Sequence, residues 1–258
     1  MFHNKRSYRK LSQNFLKSRK LAKKLVGLSS VGKQDLVYEI GPGEGTITEQ
    51  LVLKAGKIIA VEIDSDLARH LKEKFDRNGQ VEIINQDFLK FEIYAKNFKI
   101  FSNLPFSVEG KIIRKLLDRK NQPQEACLIM QKEVAKRLSG AWGNVEFSIL
   151  HKPWFDFEIK HHFSKFDFQP ISRVDSVLLK ITKKTEALLP LSLKSQYEHF
   201  VKTGFRSGRR LEDNLSGLIS KPLYIQYAQR LGFSGNAKPT NLTLEKWIKL
   251  FRCFAEIS

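Results

Sequence analysis

Five short apolar runs rich in β-branched residues recur through the first half of the chain: LVYEI at 36–40, KIIAVEI at 57–63, VEII at 81–84, FKIFS at 98–102 and ACLIM at 126–130. Runs of this kind read as strands buried on both faces, which is the pattern of a parallel sheet. Helical spacing fills the gaps between them, over 45–55, 66–75, 109–117 and 132–138. That alternation predicts a doubly wound, Rossmann-like α/β sheet with its ligands at the carboxyl ends of the strands. FDFEIKHHF and SVLLKI supply two further strands, closing the sheet near Ile181. Beyond Lys184 the texture changes to helical segments around 194–205, 211–219, 222–231 and 243–254, with no β-branched run. The expected organisation is a sheet domain with a basic N-terminal arm over 1–184 and a small all-helical domain over 185–258.

At 258 residues the chain is long enough for a full core, and no run reaches the length of a membrane span. The opening MFHNKRSYRK holds no apolar stretch that could serve as a secretory signal, so a cytoplasmic protein is expected. Cys127 and Cys253 lie far apart with no CxxC and no Cys/His cluster, which supports neither a disulfide framework nor a metal site. The formal charge of +18 is uneven. Residues 1–33 carry ten basic residues and no acid; 34–182 carry 22 against 21, and 183–258 carry 13 against 6. A polyanion such as nucleic acid is the simplest partner for two basic ends around a neutral middle. A membrane surface is the rival, but the basic N-terminus lacks the apolar face an interfacial helix needs.

The sharpest motif is YEIGPGEGTIT at 38–48, with Gly41, Gly43 and Gly45 between the first strand and the next helix. Glycines there let the backbone turn tightly and approach a ligand. The third comes one residue too early for the GxGxxG of a dinucleotide site, which suits a cofactor without phosphates. Glu62, 21 residues after Gly41, ends the next strand, where a carboxylate can accept from both hydroxyls of a ribose. Asp87 follows the third strand, placed to hold the amino group of an adenine. This order is the one expected of an S-adenosylmethionine site.

Asn103-Leu104-Pro105-Phe106 closes the fourth strand, an [N/D]PP[Y/F]-like tetrapeptide. The exocyclic amine of adenine is a poor nucleophile because its lone pair is delocalised. Accepting its N–H groups on the Asn103 side-chain oxygen and the Leu104 carbonyl moves that nitrogen toward sp³. Pro105 fixes the turn, and Phe106 is expected to stack on a base withdrawn from its helix or loop.

With these motifs in hand, nearly the whole chain resembles the ribosomal RNA adenine N6-methyltransferases, a family that includes the small-subunit dimethyladenosine transferases and the Erm-type macrolide-resistance enzymes. SQNFL at 12–16, VAKRL at 134–138, KPWF at 152–155 and FQPISRVDSVLLKI at 168–181 extend the likeness. The resemblance implies a class I methyltransferase fold and S-adenosyl-L-methionine as cofactor. It carries over Asn14 and Leu16 as cofactor contacts beside Gly41, Glu62, Asp87 and Asn103, and Phe168 as a second aromatic face for the target base. Lys5, Arg6, Arg9 and Lys10 in the arm, with Arg206, Arg209 and Arg210 in the helical region, are the candidate RNA contacts.

The 16-residue interval from Asp87 to Asn103, FKIFSNLPF, KPWF and the short C-terminal region look more like the resistance methylases, which act on a specific adenine of 23S rRNA. Their methyl groups block macrolide, lincosamide and streptogramin B binding. NLPF departs from NIPF or NIPY, commoner in that branch, and from NLPY of the small-subunit branch. A 16S dimethyltransferase is the alternative within the class. A non-catalytic RNA-binding assembly or transcription factor on the same fold is the alternative outside it. Nothing requires a metal or a second copy, so a monomer acting on ribosomal RNA is expected.

Overall fold

The computed structural model describes residues 14–117 and 121–255; Lys5, Arg6, Arg9 and Lys10 lie outside them. The order of elements is β1 (Phe15–Leu16), α1 (Arg19–Gly27), β2 (Leu36–Ile40), α2 (Thr46–Val52), β3 (Lys57–Glu62), α3 (Ser65–Lys74), β4 (Val81–Asn85) and β5 (Lys99–Asn103). Then come α4 (Glu109–Leu117), β6 (Glu125–Gln131), α5 (Lys132–Ser139), α6 (Glu146–His151), β7 (Phe155–His162), β8 (Phe168–Gln169) and β9 (Ser176–Lys183). Four helices close the described chain: α7 (Lys194–Gly204), α8 (Leu211–Leu215), α9 (Lys221–Arg230) and α10 (Leu244–Ala255).

Seven strands form one sheet in the order β4-β3-β2-β5-β6-β9-β7. The pairs β2–β3, β3–β4, β2–β5 and β5–β6 are parallel, and β9 returns antiparallel against β6. The expected doubly wound sheet is therefore present, and it includes both late strands. Its core is built from Val37, Ile58, Ala60, Phe101, Cys127, Ile129 and Leu178. Chain direction through the sheet reverses between β2 and β5, which are hydrogen-bonded neighbours although β3 and β4 intervene in sequence. Such a switch point leaves a crevice at the carboxyl ends of the two strands. Here those ends are Ile40, followed by the glycine turn, and Asn103.

Contacts divide the chain into two units, one of residues 1–135 and 157–183, the other of 136–156 and 184–258. The expected division at 184/185 has no such excursion. In the structure KPWF belongs with the helical unit, because Trp154 is buried there, its indole N–H donating to the Leu189 carbonyl at 2.9 Å and its ring meeting Tyr197 edge-on. The Tyr197 hydroxyl in turn donates to the Ile149 carbonyl at 3.1 Å. Trp247 and Phe251 of α10 and Phe200 of α7 complete this aromatic core. No helix among the described residues is long and apolar enough to cross a membrane.

Candidate functional site

The turn leaving β2 holds Gly41 at φ +63° and Gly43 at φ +60°, a left-handed conformation that side chains rarely adopt. The two glycines are open to different things. A Cβ on Gly41 would meet nothing within 4 Å, whereas one on Gly43 would sit 2.4 Å from Cε1 of Phe15. Gly43 N–H donates to Glu62 Oε2 at 3.1 Å, and Asp64 N–H donates to Glu62 Oε1 at 3.0 Å. Glu62 is fully buried at the end of β3, and burial pushes its carboxyl above the usual range despite these two donors. Each of its oxygens keeps a second lone pair for a ligand. The Gln86 amide donates to the Glu62 carbonyl at 3.0 Å, which sets the start of the Asp87 loop against β3. Asp87 Oδ1 accepts from Leu89 N–H at 2.9 Å.

A pocket opens at the switch point, lined by Phe15, Leu16, Glu39, Gly41, Pro42, Glu44, Thr46, Ile47 and Asn103. Sequence reasoning missed Glu39. It lies one residue before the end of β2, buried, and its Oε2 accepts from the Thr48 hydroxyl at 2.7 Å. Burial, helped by the charge of nearby Glu62, pushes its carboxyl up to about 8. A site with two buried acids and open backbone at Gly41 fits a small cationic cofactor with a ribose, since a cation near Glu39 favours its ionised form.

Asn103 ends β5, and its Nδ2 donates to the Asn14 carbonyl at 2.6 Å, across 89 residues. That bond uses one of the two amide N–H groups and leaves the side-chain oxygen as the acceptor of the pair. Leu104 is buried, its N–H donating to Ile129 O at 3.0 Å, and the Pro105 carbonyl accepts from Val108 N–H at 3.1 Å as the chain enters α4. Asn14, Phe15 and Leu16, the described part of the SQNFL segment, reach this corner through β1, which pairs antiparallel with β8 so that Leu16 faces Phe168. Asn14, Leu16, Gly41, Glu62 and Asn103 are thus brought to one end of the sheet. Phe168 calls for a correction. Expected to offer a face to the target base, it has 0% exposure, held between the β1 pairing and the Phe163 ring at 5.2 Å. Arg206, Arg209 and Arg210 lie exposed in the helical unit. Arg210 is paired with Asp213 at 3.1 Å and reaches Asn236 Oδ1, while buried Asn214 holds the loop through the carbonyls of Gly204 and Ser207.

A glycine turn, two buried acids and an asparagine gathered at the switch point of this sheet define an S-adenosylmethionine-dependent methyltransferase. Residues 3–256 match the family model described as ribosomal RNA adenine dimethylase. The chain belongs to that family, and it is an rRNA adenine N6-methyltransferase. It is similar to the ribosomal RNA small subunit methyltransferase A of Mycoplasmopsis pulmonis (strain UAB CTIP), 33% identical over 251 residues, which cover 95% of this chain and 98% of that protein. It is also 33% identical over 183 residues to the rRNA adenine N-6-methyltransferase of Bacillus licheniformis, covering 70% of this chain and 63% of the relative. Among solved structures it resembles the 23S rRNA methyltransferase ErmE with a TM-score of 0.82 and 26% identity, covering 94% of this chain and 100% of the other. A dimethyladenosine transferase from Plasmodium falciparum shares the fold, with a TM-score of 0.76 at 21% identity, covering 94% of this chain and 98% of the other.

Proposed function

We propose that this enzyme methylates N6 of one adenine in 23S rRNA and thereby confers macrolide, lincosamide and streptogramin B resistance. The carrying observation for the chemistry is Asn103 at the pocket, whose Nδ2 donates to the Asn14 carbonyl and whose Oδ1 is the amide's acceptor. S-adenosylmethionine supplies the methyl group. Gly41 gives it backbone room, Glu62 accepts from the ribose hydroxyls, Asp87 from the adenine amino group, and Asn14 and Leu16 close over it. Asn103 Oδ1 and the Leu104 carbonyl accept from the two N–H bonds of the target adenine, which concentrates electron density on N6. Phe106 stacks on the target base. The methylated amine is acidic enough to give up its proton to water, so the site needs no general base. Arg206 and Arg209, with Lys5, Arg6, Arg9, Lys10 and the ion-paired Arg210, contact RNA phosphates.

For the choice of RNA, the likeness to ErmE supports 23S. A 16S substrate is the second reading, favoured by the full-length similarity to the M. pulmonis small-subunit enzyme. Incubation with radiolabelled S-adenosylmethionine and protein-free 23S and 16S rRNA, followed by primer extension, separates them. A stop at one adenine of 23S rRNA is expected; label in 16S rRNA alone overturns the first reading in favour of the second. Asn103→Ala is expected to abolish transfer while sparing RNA binding, and undiminished turnover overturns the mechanism.

A further inference from the structure

Three phenylalanines fall between the end of β7 and the first residue of β8, and they differ in exposure. Phe163 and Phe168 pack together in the sheet unit, while Phe166 between them is 70% exposed. An exposed aromatic on a loose loop would mean little. This one sits on a turn held from every side. Ser164 Oγ accepts from Phe166 N–H at 3.3 Å, and Asp167 Oδ2 accepts from Ser164 N–H at 2.8 Å. The Lys165 carbonyl accepts from Ser172 N–H at 3.1 Å, and the Asp167 carbonyl accepts from Lys17 N–H at 3.0 Å. The ring is therefore presented to solvent by fixed backbone, with Ile171, 52% exposed, on the return of the same turn.

The surroundings favour a polyanion. Lys17, Lys165 and Arg173 are exposed on this turn or bonded to it. Of the acids beside them, Asp167 is used within the turn, and Asp175 is shared between Lys132 at 4.0 Å and Lys165 at 3.8 Å. The turn is also tied to the methyl-acceptor corner: Lys17 follows β1, which pairs with β8, and Asn14 at the start of the same segment accepts from Asn103. An exposed aromatic ring on a hydrogen-bonded turn among cations is a stacking platform for an unpaired base, with little backbone entropy left to lose on binding.

We infer that Phe166 stacks on an unpaired nucleotide of the ribosomal RNA next to the target adenine, with Lys17, Lys165 and Arg173 on the flanking phosphates. This rests on the placement of the target at Asn103–Phe106. The test measures affinity for protein-free 23S and 16S rRNA by filter binding, single-turnover methylation, and cofactor affinity by calorimetry, for Phe166→Ala, Phe166→Leu and Phe166→Tyr, with Asn103→Ala alongside. The Ala and Leu variants are expected to lose about tenfold to a hundredfold in RNA affinity, Tyr to retain it, and cofactor affinity to stay level in all three. Wild-type RNA affinity in Phe166→Ala overturns the inference, as does full recovery by Leu, which would make the contact merely apolar. A loss of cofactor affinity in Phe166→Ala also overturns it, in favour of a structural role. If Asn103→Ala methylates normally, the site reading fails instead, and the two failures are told apart.

Discussion

Replacing Glu39 by Gln tests whether the buried acid of β2 is held neutral by its surroundings. Its carboxyl is enclosed, its Oε2 accepts from the Thr48 hydroxyl, and burial raises it from an ordinary 4.5 to about 8. In the unfolded chain the same group ionises near 4.5. Between these values the unfolded state gives up its proton and the folded state keeps it, so folding grows less favourable by about 1.4 kcal/mol per pH unit. The stability present below pH 4.5 is thus lost as pH rises through 8, reaching about 4 kcal/mol by pH 7.5. Glutamine has the same shape, still accepts from Thr48 and does not titrate. The variant is expected to match wild type within about 1 kcal/mol at pH 5 and to exceed it increasingly toward pH 8. Urea unfolding at pH 5, 6, 7 and 8, read with equal m-values, measures the difference. Parallel stability curves for the two proteins, or a variant that falls behind as pH rises, would refute the argument. Glu109, also buried and raised to about 8, contributes to both curves equally and cancels.

Three further outcomes follow from the same geometry. Lys115 of α4 donates to the carbonyls of Phe88, Leu89 and Phe91 at 2.5, 2.9 and 2.5 Å, directly after Asp87, and so braces that loop; Lys115→Met is expected to weaken cofactor binding about tenfold in calorimetry while RNA affinity holds, and unchanged cofactor affinity would refute a role for Lys115 in positioning Asp87. Gly43→Ala places a Cβ in the Phe15 ring at a positive φ, so a loss of about 1–3 kcal/mol in unfolding experiments and weaker cofactor binding are expected, and a neutral variant would contradict the packing. Removing residues 1–10 takes away Lys5, Arg6, Arg9 and Lys10, and the slope of log affinity against log salt is expected to shrink by up to about 3; an unchanged slope would move the phosphate contacts elsewhere.

β2, β3, β5 and β6 are legible because each is a run of mostly buried apolar residues, and β4, half-buried with Glu82 exposed, shows through its β-branched Val81, Ile83 and Ile84; all five fall within a residue or two of the predicted segments. α1 was hidden by its charge. Arg19, Lys20, Lys23 and Lys24 form its exposed face, and reading 1–33 as a basic segment obscured Ala22, Leu25 and Val26, which are buried on the other. Ser18, whose Oγ accepts from Leu21 N–H, was the available signal. β1 and β8 are two residues each, too short for any period to show. Glu39 carries no such signal: Glu62 and Asp87 stand at the end of a strand or just past it, where ligands bind, whereas Glu39 lies inside a strand whose other members are apolar. Phe168 was read by its place in a motif, which carries no information on which way a ring faces.

The glycine turn shows why a motif can be found correctly and explained only in part. Freedom to approach a ligand accounts for Gly41, beside which there is open space. At Gly43 the space a Cβ needs is filled by Phe15, from the segment that also supplies Asn14 to Asn103 and Leu16 to the β8 pair. Gly43 therefore serves two purposes at once: its N–H holds Glu62, and its missing side chain lets the N-terminal segment lie close over the switch point. SQNFL carries little meaning as an isolated string. The meaning of its Asn14, Phe15 and Leu16 comes from the three places they touch, the end of β5, the turn after β2 and the strand before β9, which only the folded sheet brings together.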